Sequence, residues 1–247
     1  MSEERNARGW DAIAARYQRE KGWPHEDLWW GHRVPPEREL RLLGELRGAR
    51  ALVLGCGGGQ DVVALARLGA ASVAGVDLSR EQLAHARALC ANEGVDARLE
   101  ERSVADLSPF ADGSFDVVVS VHVLSYVERA AECLREARRV LREGGVLGVS
   151  VHHPLDASTA DAPPYALTKP YFQVRTDWAW RSLGGQAAPM TSYHRTVADW
   201  FALFTESGLR VERLLEPRPV GPPIWEGAEY NEKLEWVPGT LIVVARR

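Results

Sequence analysis

Residues 51–60 read Ala51-Leu52-Val53-Leu54-Gly55-Cys56-Gly57-Gly58-Gly59-Gln60, a short apolar run that stops in glycines. Residues 60–68 then place Val62, Leu65 and Ala66 on one helical face and halt at Gly69, so the stretch predicts strand, glycine turn and helix. A glycine turn between a buried strand and a helix is where backbone can approach a ligand too closely for a Cβ. Residues 72–76 form the next predicted strand. Asp77 follows it, twenty residues past Gly57, where a carboxylate can accept both ribose hydroxyls of an adenosine. A dinucleotide site usually wants G-x-G-x-x-G/A, but the last of those positions is Gln60 and the pattern here is G-x-G-x-G.

On either side of this stretch strands and helices alternate. Ser79 with Gln82 is a capping-box signature for a helix whose Leu83, Ala86 and Cys90 share a face, and residues 97–99 begin a third strand. Residues 115–119 are a continuous apolar run, as in a strand buried on both faces. Residues 128–141 are helical, with Ala130, Leu134, Ala137 and Leu141 inward; Gly144 and Gly145 break the helix, and 146–151 is strand again. This rhythm predicts an α/β fold with a parallel, doubly wound sheet and a ligand crevice at the carboxyl ends of its strands.

The flanks are less regular. Residues 155–195 carry Pro163, Pro164, Pro170, Pro189, Gly184 and Gly185 and read as an insertion capping the crevice. Thr196 with Asp199 opens a helix, residues 209–215 and 241–245 read as the last two strands, and a proline-rich connection, 217–239, joins them. Residues 10–19 and 37–46 read as amphipathic helices. The expected organisation is an N-terminal helical lid, 1–48, and a body, 49–247, with the cap at about 155–195.

Composition narrows the function. With 247 residues, 45% of them hydrophobic, the chain can bury a sizeable core, which excludes disorder as the main description. No apolar run approaches the ~18 to 20 residues that cross a bilayer, and no secretion signal is visible, so neither membrane nor export is expected. Thirty basic against 34 acidic side chains give a net charge of −4, without the positive surplus that nucleic acid would want. Cys56, Cys90 and Cys133 lie far apart in no zinc-type spacing, fitting reduced thiols and a cytoplasmic location. No P-loop, H-E-x-x-H motif, nucleophile elbow or metal-ligand cluster is present, so no metal is expected. A monomer or a homodimer fits equally well.

Over roughly residues 42–151 the chain resembles the class I S-adenosylmethionine-dependent methyltransferases of small-molecule type. Residues 51–59 are similar to the family's first motif and Val76-Asp77-Leu78-Ser79 to its ribose motif. Pro109-Phe110-Ala111-Asp112-Gly113-Ser114-Phe115-Asp116 resembles the lead-in to the fourth strand, and Arg139-Val140-Leu141-Arg142-Glu143-Gly144-Gly145 the turn before the fifth. The resemblance implies a Rossmann-like, mostly parallel seven-stranded sheet, with one of the two C-terminal strands antiparallel. It also implies S-adenosylmethionine as cofactor and a small molecule as acceptor. The cofactor site it implies comprises Gly55, Cys56, Gly57, Gly59, Gln60, Asp77 on the ribose, Leu78 on the adenine, Ser103 and Val104 at the base edge, and Ser120. Tyr17 and the Trp29-Trp30-Gly31 segment, Trp30 above all, would cover it as a lid. Two positions depart from the family pattern. Val53 stands where an acidic residue commonly precedes the first glycine, and Ser103 stands where an Asp commonly meets the adenine amine, with Asp106 a possible substitute.

Methyl transfer from a sulfonium needs alignment, desolvation and, for a protonated acceptor, a base. Ser120-Val121-His122 follows the fourth strand, nearest the transferred methyl in the fold the resemblance implies, and Tyr126 lies one helical turn on. His122 is the first candidate base, with His153, His194 and Tyr126 behind it; for each histidine a plain cap or loop hydrogen bond is the alternative. Only one of His152 and His153 should face the ligand, because strand side chains alternate. All nine tryptophans lie outside the motif core. They suggest either an aromatic or heteroaromatic acceptor or bulky anchors for small flanking helices. A nicotinamide-dependent oxidoreductase and a non-catalytic cofactor-binding protein are the competing readings.

Overall fold

The computed structural model describes residues 2–21, 23–180, 187–221 and 228–247. Apolar runs with short glycine-bearing turns become strands β1 (Arg50–Leu54), β2 (Ser72–Asp77), β3 (Ala97–Glu101), β4 (Phe115–Val121) and β5 (Leu141–His152). Helices α3 (Gln60–Arg67), α4 (Arg80–Asn92) and α5 (Ala130–Val140) connect or follow them, behind α1 (Ser2–Lys21) and α2 (Glu37–Leu40). After β5 come α6 (Pro154–Ser158), β6 (Arg175–Trp180), β7 (Ala188–Tyr193), α7 (Val197–Glu206), β8 (Arg210–Leu215), α8 (Ala228–Lys233) and β9 (Thr240–Arg246).

Seven strands form one sheet in the order β3-β2-β1-β4-β5-β9-β8. The first five run parallel, and β9 lies antiparallel to both β5 and β8, so the reversed C-terminal strand is the last one. Chain order runs out from β1 to β3 and then returns to β4, which opens a crevice beyond the carboxyl ends of β1 and β4. Alternation along the strands feeds two cores. Leu52, Leu54 and Val118 pack on one side with Leu134 and Phe204, and Val53 and Val119 on the other with Val62 and Leu65.

Three expectations need correction. The predicted helix over 37–46 is helical only through Leu40, and Arg41 turns left-handed at φ 50°. The buried Glu37 carboxylate bends the chain there, accepting the Leu43 N–H at 2.7 Å and the Trp30 indole N–H at 3.0 Å. The fifth strand begins at Leu141 and runs through Gly144 and Gly145, because 141 already pairs with Phe115 across a register shift. Finally, α1 starts at Ser2, well before the predicted residue 10.

Helix α1 and the segment after β5 are bonded to each other. β6 and β7 form a separate two-stranded antiparallel sheet, and Met190 and Ala188 of β7 pack with Ile13, Trp10 and Tyr17 of α1. Gly9 allows this approach, since a Cβ there would lie 2.5 Å from the Pro189 carbonyl oxygen. Asn6 clamps the pair, its amide donating to the Thr191 and Tyr126 carbonyls and its oxygen accepting the Thr191 N–H. Gly184 and Gly185 of the cap lie outside the described residues. Replacing Asn6 by Ala should cost about 2–3 kcal/mol of stability, at about 1 kcal/mol for each of three buried hydrogen bonds. Calorimetric unfolding reads the loss, and faster proteolysis within residues 2–21 reads the loosened helix.

Candidate active site

The crevice holds a cavity of about 300 Å³ beneath α1 and Trp180 of the cap. One end is built by the turns after β1 and β2. Asp77 closes β2, and its carboxylate accepts the Gly57 N–H on one oxygen and the Ser79 N–H on the other, both at 2.8 Å. A carboxylate has about four lone-pair directions, so each oxygen keeps one for a further donor. Burial raises the Asp77 pKa, and those two backbone N–H groups oppose the rise. Gly57 has φ 49°, and a Cβ there would meet nothing within 4 Å, so the turn leaves open space beside the carboxylate. Gly55, Cys56, Gln60, Leu78 and Val104 complete this end. From above, the Gln18 amide of α1 bridges Gln60 and Gln82.

The other end is built by the turns after β4 and β5. His122 stands in the left-handed region at φ 56°, with its N–H on the Ser150 carbonyl at 2.9 Å. Burial, with His152 and then His32 beside it, pushes its imidazole well below the ordinary histidine range, so it is neutral at neutral pH. A hydrogen bond to the Trp30 backbone orients the ring, and Nδ1 is buried without a partner among the described residues. The His152 ring lies 4.5 Å from it, and desolvation lowers its pKa as well. The wall above is aromatic. Trp10 packs edge-on against Tyr17 and Tyr126 at 5.4 and 5.7 Å, and Tyr17 meets Trp180 at 5.7 Å. Burial raises the pKa of Tyr126, which keeps its hydroxyl protonated.

Several expected site residues lie elsewhere. His153 is buried, its Nδ1 capping α6 at the Leu155 N–H and its Nε2 on Glu216 at 2.8 Å. Alternation along β5 sends His152, not His153, into the cavity. His194 packs on the Tyr171 ring at 5.6 Å and does not line the cavity. The Ser120 hydroxyl is buried in the sheet, donating to the Leu54 carbonyl. Ser103 donates to Glu3 of α1, and it is Glu3 that reaches the cavity; Asp106 is paired with Arg102. Trp30 is fully buried in the core, its indole N–H on Glu37, while Trp29 lines the cavity. Of the other tryptophans, Trp10, Trp23 and Trp180 line the cavity, Trp200 is core, Trp236 is exposed and Trp225 lies outside the described residues. The sequence reading missed His32, Asp61 and Thr240 as cavity residues and left His152 undecided against His153. Of these, only His152 carried a readable signal, the parity of its strand.

The two neighbouring tryptophans separate stability from binding. Trp30→Ala should cost about 3–5 kcal/mol by emptying a core site. Trp29→Ala should leave the melting temperature nearly unchanged and weaken ligand binding. Thermal melts set beside ligand titrations check the pair.

A doubly wound sheet with a reversed last strand, a glycine turn and a carboxylate closing its second strand define a Rossmann-like methyltransferase fold. The comparisons agree. A family profile described as a methyltransferase domain matches residues 52–149. An S-adenosylmethionine-dependent methyltransferase of known structure from Mesorhizobium loti is 30% identical, covering 85% of this chain and 96% of that one with a TM-score of 0.68. Another from Methanosarcina mazei, 20% identical over 85% of this chain and 96% of its own at TM-score 0.60, supports the fold alone. A ubiquinone biosynthesis O-methyltransferase from Xanthomonas euvesicatoria pv. vesicatoria is 37% identical over 116 residues, 47% of this chain and 48% of the relative. The matched part thus spans about half the length of that relative.

The chain belongs to the S-adenosylmethionine-dependent methyltransferases. The family's cofactor fits the residues present: Asp77 retains acceptor capacity for a diol, the space beside Gly57 is open, and no Lys or Arg among the described residues lines the cavity to repel a sulfonium. Among the described residues no helix is long and apolar enough to cross a membrane.

Proposed function

We propose that the protein transfers a methyl group from S-adenosylmethionine to a small-molecule acceptor carrying an aromatic or heteroaromatic ring. The observation that carries this reading is a single cavity with a diol-accepting carboxylate, Asp77, at one end and a neutral histidine under an aromatic wall, His122, at the other. Bound there, S-adenosylmethionine supplies a methyl group on a sulfonium, an electrophile with a neutral leaving group. Asp77 accepts the ribose hydroxyls, and Leu78 and Val104 flank the base. Trp10, Tyr17, Tyr126 and Trp180 exclude water and offer ring faces to a flat acceptor and to the sulfonium charge. His122, a neutral imidazole lining the cavity, takes the acceptor's proton or orients its lone pair.

The name of the Xanthomonas relative, an O-methyltransferase of ubiquinone biosynthesis, supports a small-molecule acceptor. The three cysteines, buried and unpaired in disulfides, suit the reducing cytoplasm, where we place the reaction. The test is incubation with isotopically labelled S-adenosylmethionine and a panel of phenols, heteroaromatic amines and aliphatic alcohols, read by mass spectrometry. Label in ring-bearing acceptors is the expected result. Label confined to aliphatic acceptors, or binding of the cofactor without turnover of any acceptor, overturns the reading.

A further inference from the structure

We infer that Asp61 receives the α-ammonium of the cofactor's methionine moiety, a role for which the family pattern would put an acidic residue at position 53. The inference rests on the cavity being the cofactor site. Val53 is fully buried in the core beside Val62 and Leu65, so no charged group is available at that position. An ammonium removed from water without a counter-charge is costly, and the protein must supply one from elsewhere.

Three carboxylates line the cavity among the described residues, and two are engaged. Asp77 holds the Gly57 and Ser79 N–H groups, and Glu3 takes the Ser103 hydroxyl with Arg129 at 3.6 Å. Asp61 is the third. It stands in the first turn of α3, four residues past Gly57, so it and Asp77 border the same glycine turn. Among the described residues no hydrogen bond or ion pair reaches it, and no Lys or Arg lines the cavity. Desolvation alone pushes its carboxyl up to about 7, the behaviour of a carboxylate taken from water and left without a cation. The methionine moiety brings that cation. An acidic residue in a helix's first turn also offsets the helix dipole, but that role would show in stability and would not distinguish one ligand from another.

The test is calorimetric titration of two ligands that share the adenosine thioether and differ in the amino acid. S-Adenosylhomocysteine carries the ammonium; methylthioadenosine lacks the whole amino-acid arm. Asp61→Asn should weaken S-adenosylhomocysteine about 30-fold, the worth of one charge-assisted hydrogen bond, and leave methylthioadenosine within about twofold. Asp61→Glu should recover part of the loss. Methylthioadenosine binding doubles as the check that each variant is folded, and Asp61→Ser serves if the Asn variant is not. Equal weakening of both ligands, or of neither, overturns the assignment of Asp61 while leaving the cofactor site standing. A wild-type protein that binds neither ligand overturns the cofactor site itself, and this inference with it.

Discussion

Asp77→Asn lowers affinity for S-adenosylmethionine by about a hundredfold or more, yet at saturating cofactor it leaves most of kcat. Hydrogen bonds to an ionised group contribute roughly 1.5–3 kcal/mol each, and a vicinal diol makes two, so the expected loss is at least about 3 kcal/mol. The amide adds a second penalty. Both Asp77 oxygens already accept backbone N–H groups, from Gly57 and Ser79. Whichever position the new NH₂ occupies, it faces one of those donors, and the glycine turn or the start of α4 must yield. That start is built on Ser79, whose hydroxyl caps the Gln82 N–H and donates to Asp11 of α1, so a moderate fall in melting temperature accompanies the loss. In the proposed binding mode the reacting methyl lies at the other end of the cavity, which is why kcat recovers once cofactor is forced on. Affinity changed by less than about threefold would remove Asp77 from the site.

Legibility in the sequence followed how local the determining contact was. Leu52, Leu54, Val118 and Val119 are buried on both faces of the sheet, and a strand of that kind is a continuous apolar run that needs no partner to be read. The glycine turn and Asp77 were legible for the same reason, since turn and carboxylate lie at the ends of such runs. Helix α1 was visible from Trp10 onward, where Ile13 and Ala14 give it an apolar face, and invisible before, where its order comes from Asn6 and Gly9 meeting β7. Glu37 ended a predicted helix by bonding Trp30 and Leu43, contacts that local periodicity does not contain. At the cavity end built by the turns after β4 and β5, His152 is separated from His153 only by strand parity. His32 and Thr240 reach the cavity from opposite ends of the chain, a juxtaposition only the fold can make.

His122→Asn lowers kcat by about 10²- to 10³-fold while changing cofactor affinity by less than about threefold, the range expected when a positioned base is removed. Asn is chosen over Ala because the backbone sits at φ 56°, where Asn is tolerated and a Cβ without a compensating polar group is strained. The pH dependence carries a sign that separates a base from a packing residue. Burial and the neighbouring histidines hold His122 well below the ordinary imidazole value, so it is neutral at neutral pH and above. Activity is therefore flat through neutrality and falls only on the acid side, as the ring protonates at its lowered pKa. Stability moves the same way. Below the unfolded pKa of about 6.5 the unfolded chain binds a proton that the folded one refuses, so stability declines as pH drops, and His122→Asn removes that part of the decline. A histidine that merely packs on the cofactor would lose affinity and turnover together and leave the acid limb of the profile unmoved. His152→Asn, 4.5 Å away, provides the control: it alters the acid limb through the lost neighbouring charge and retains far more turnover than His122→Asn.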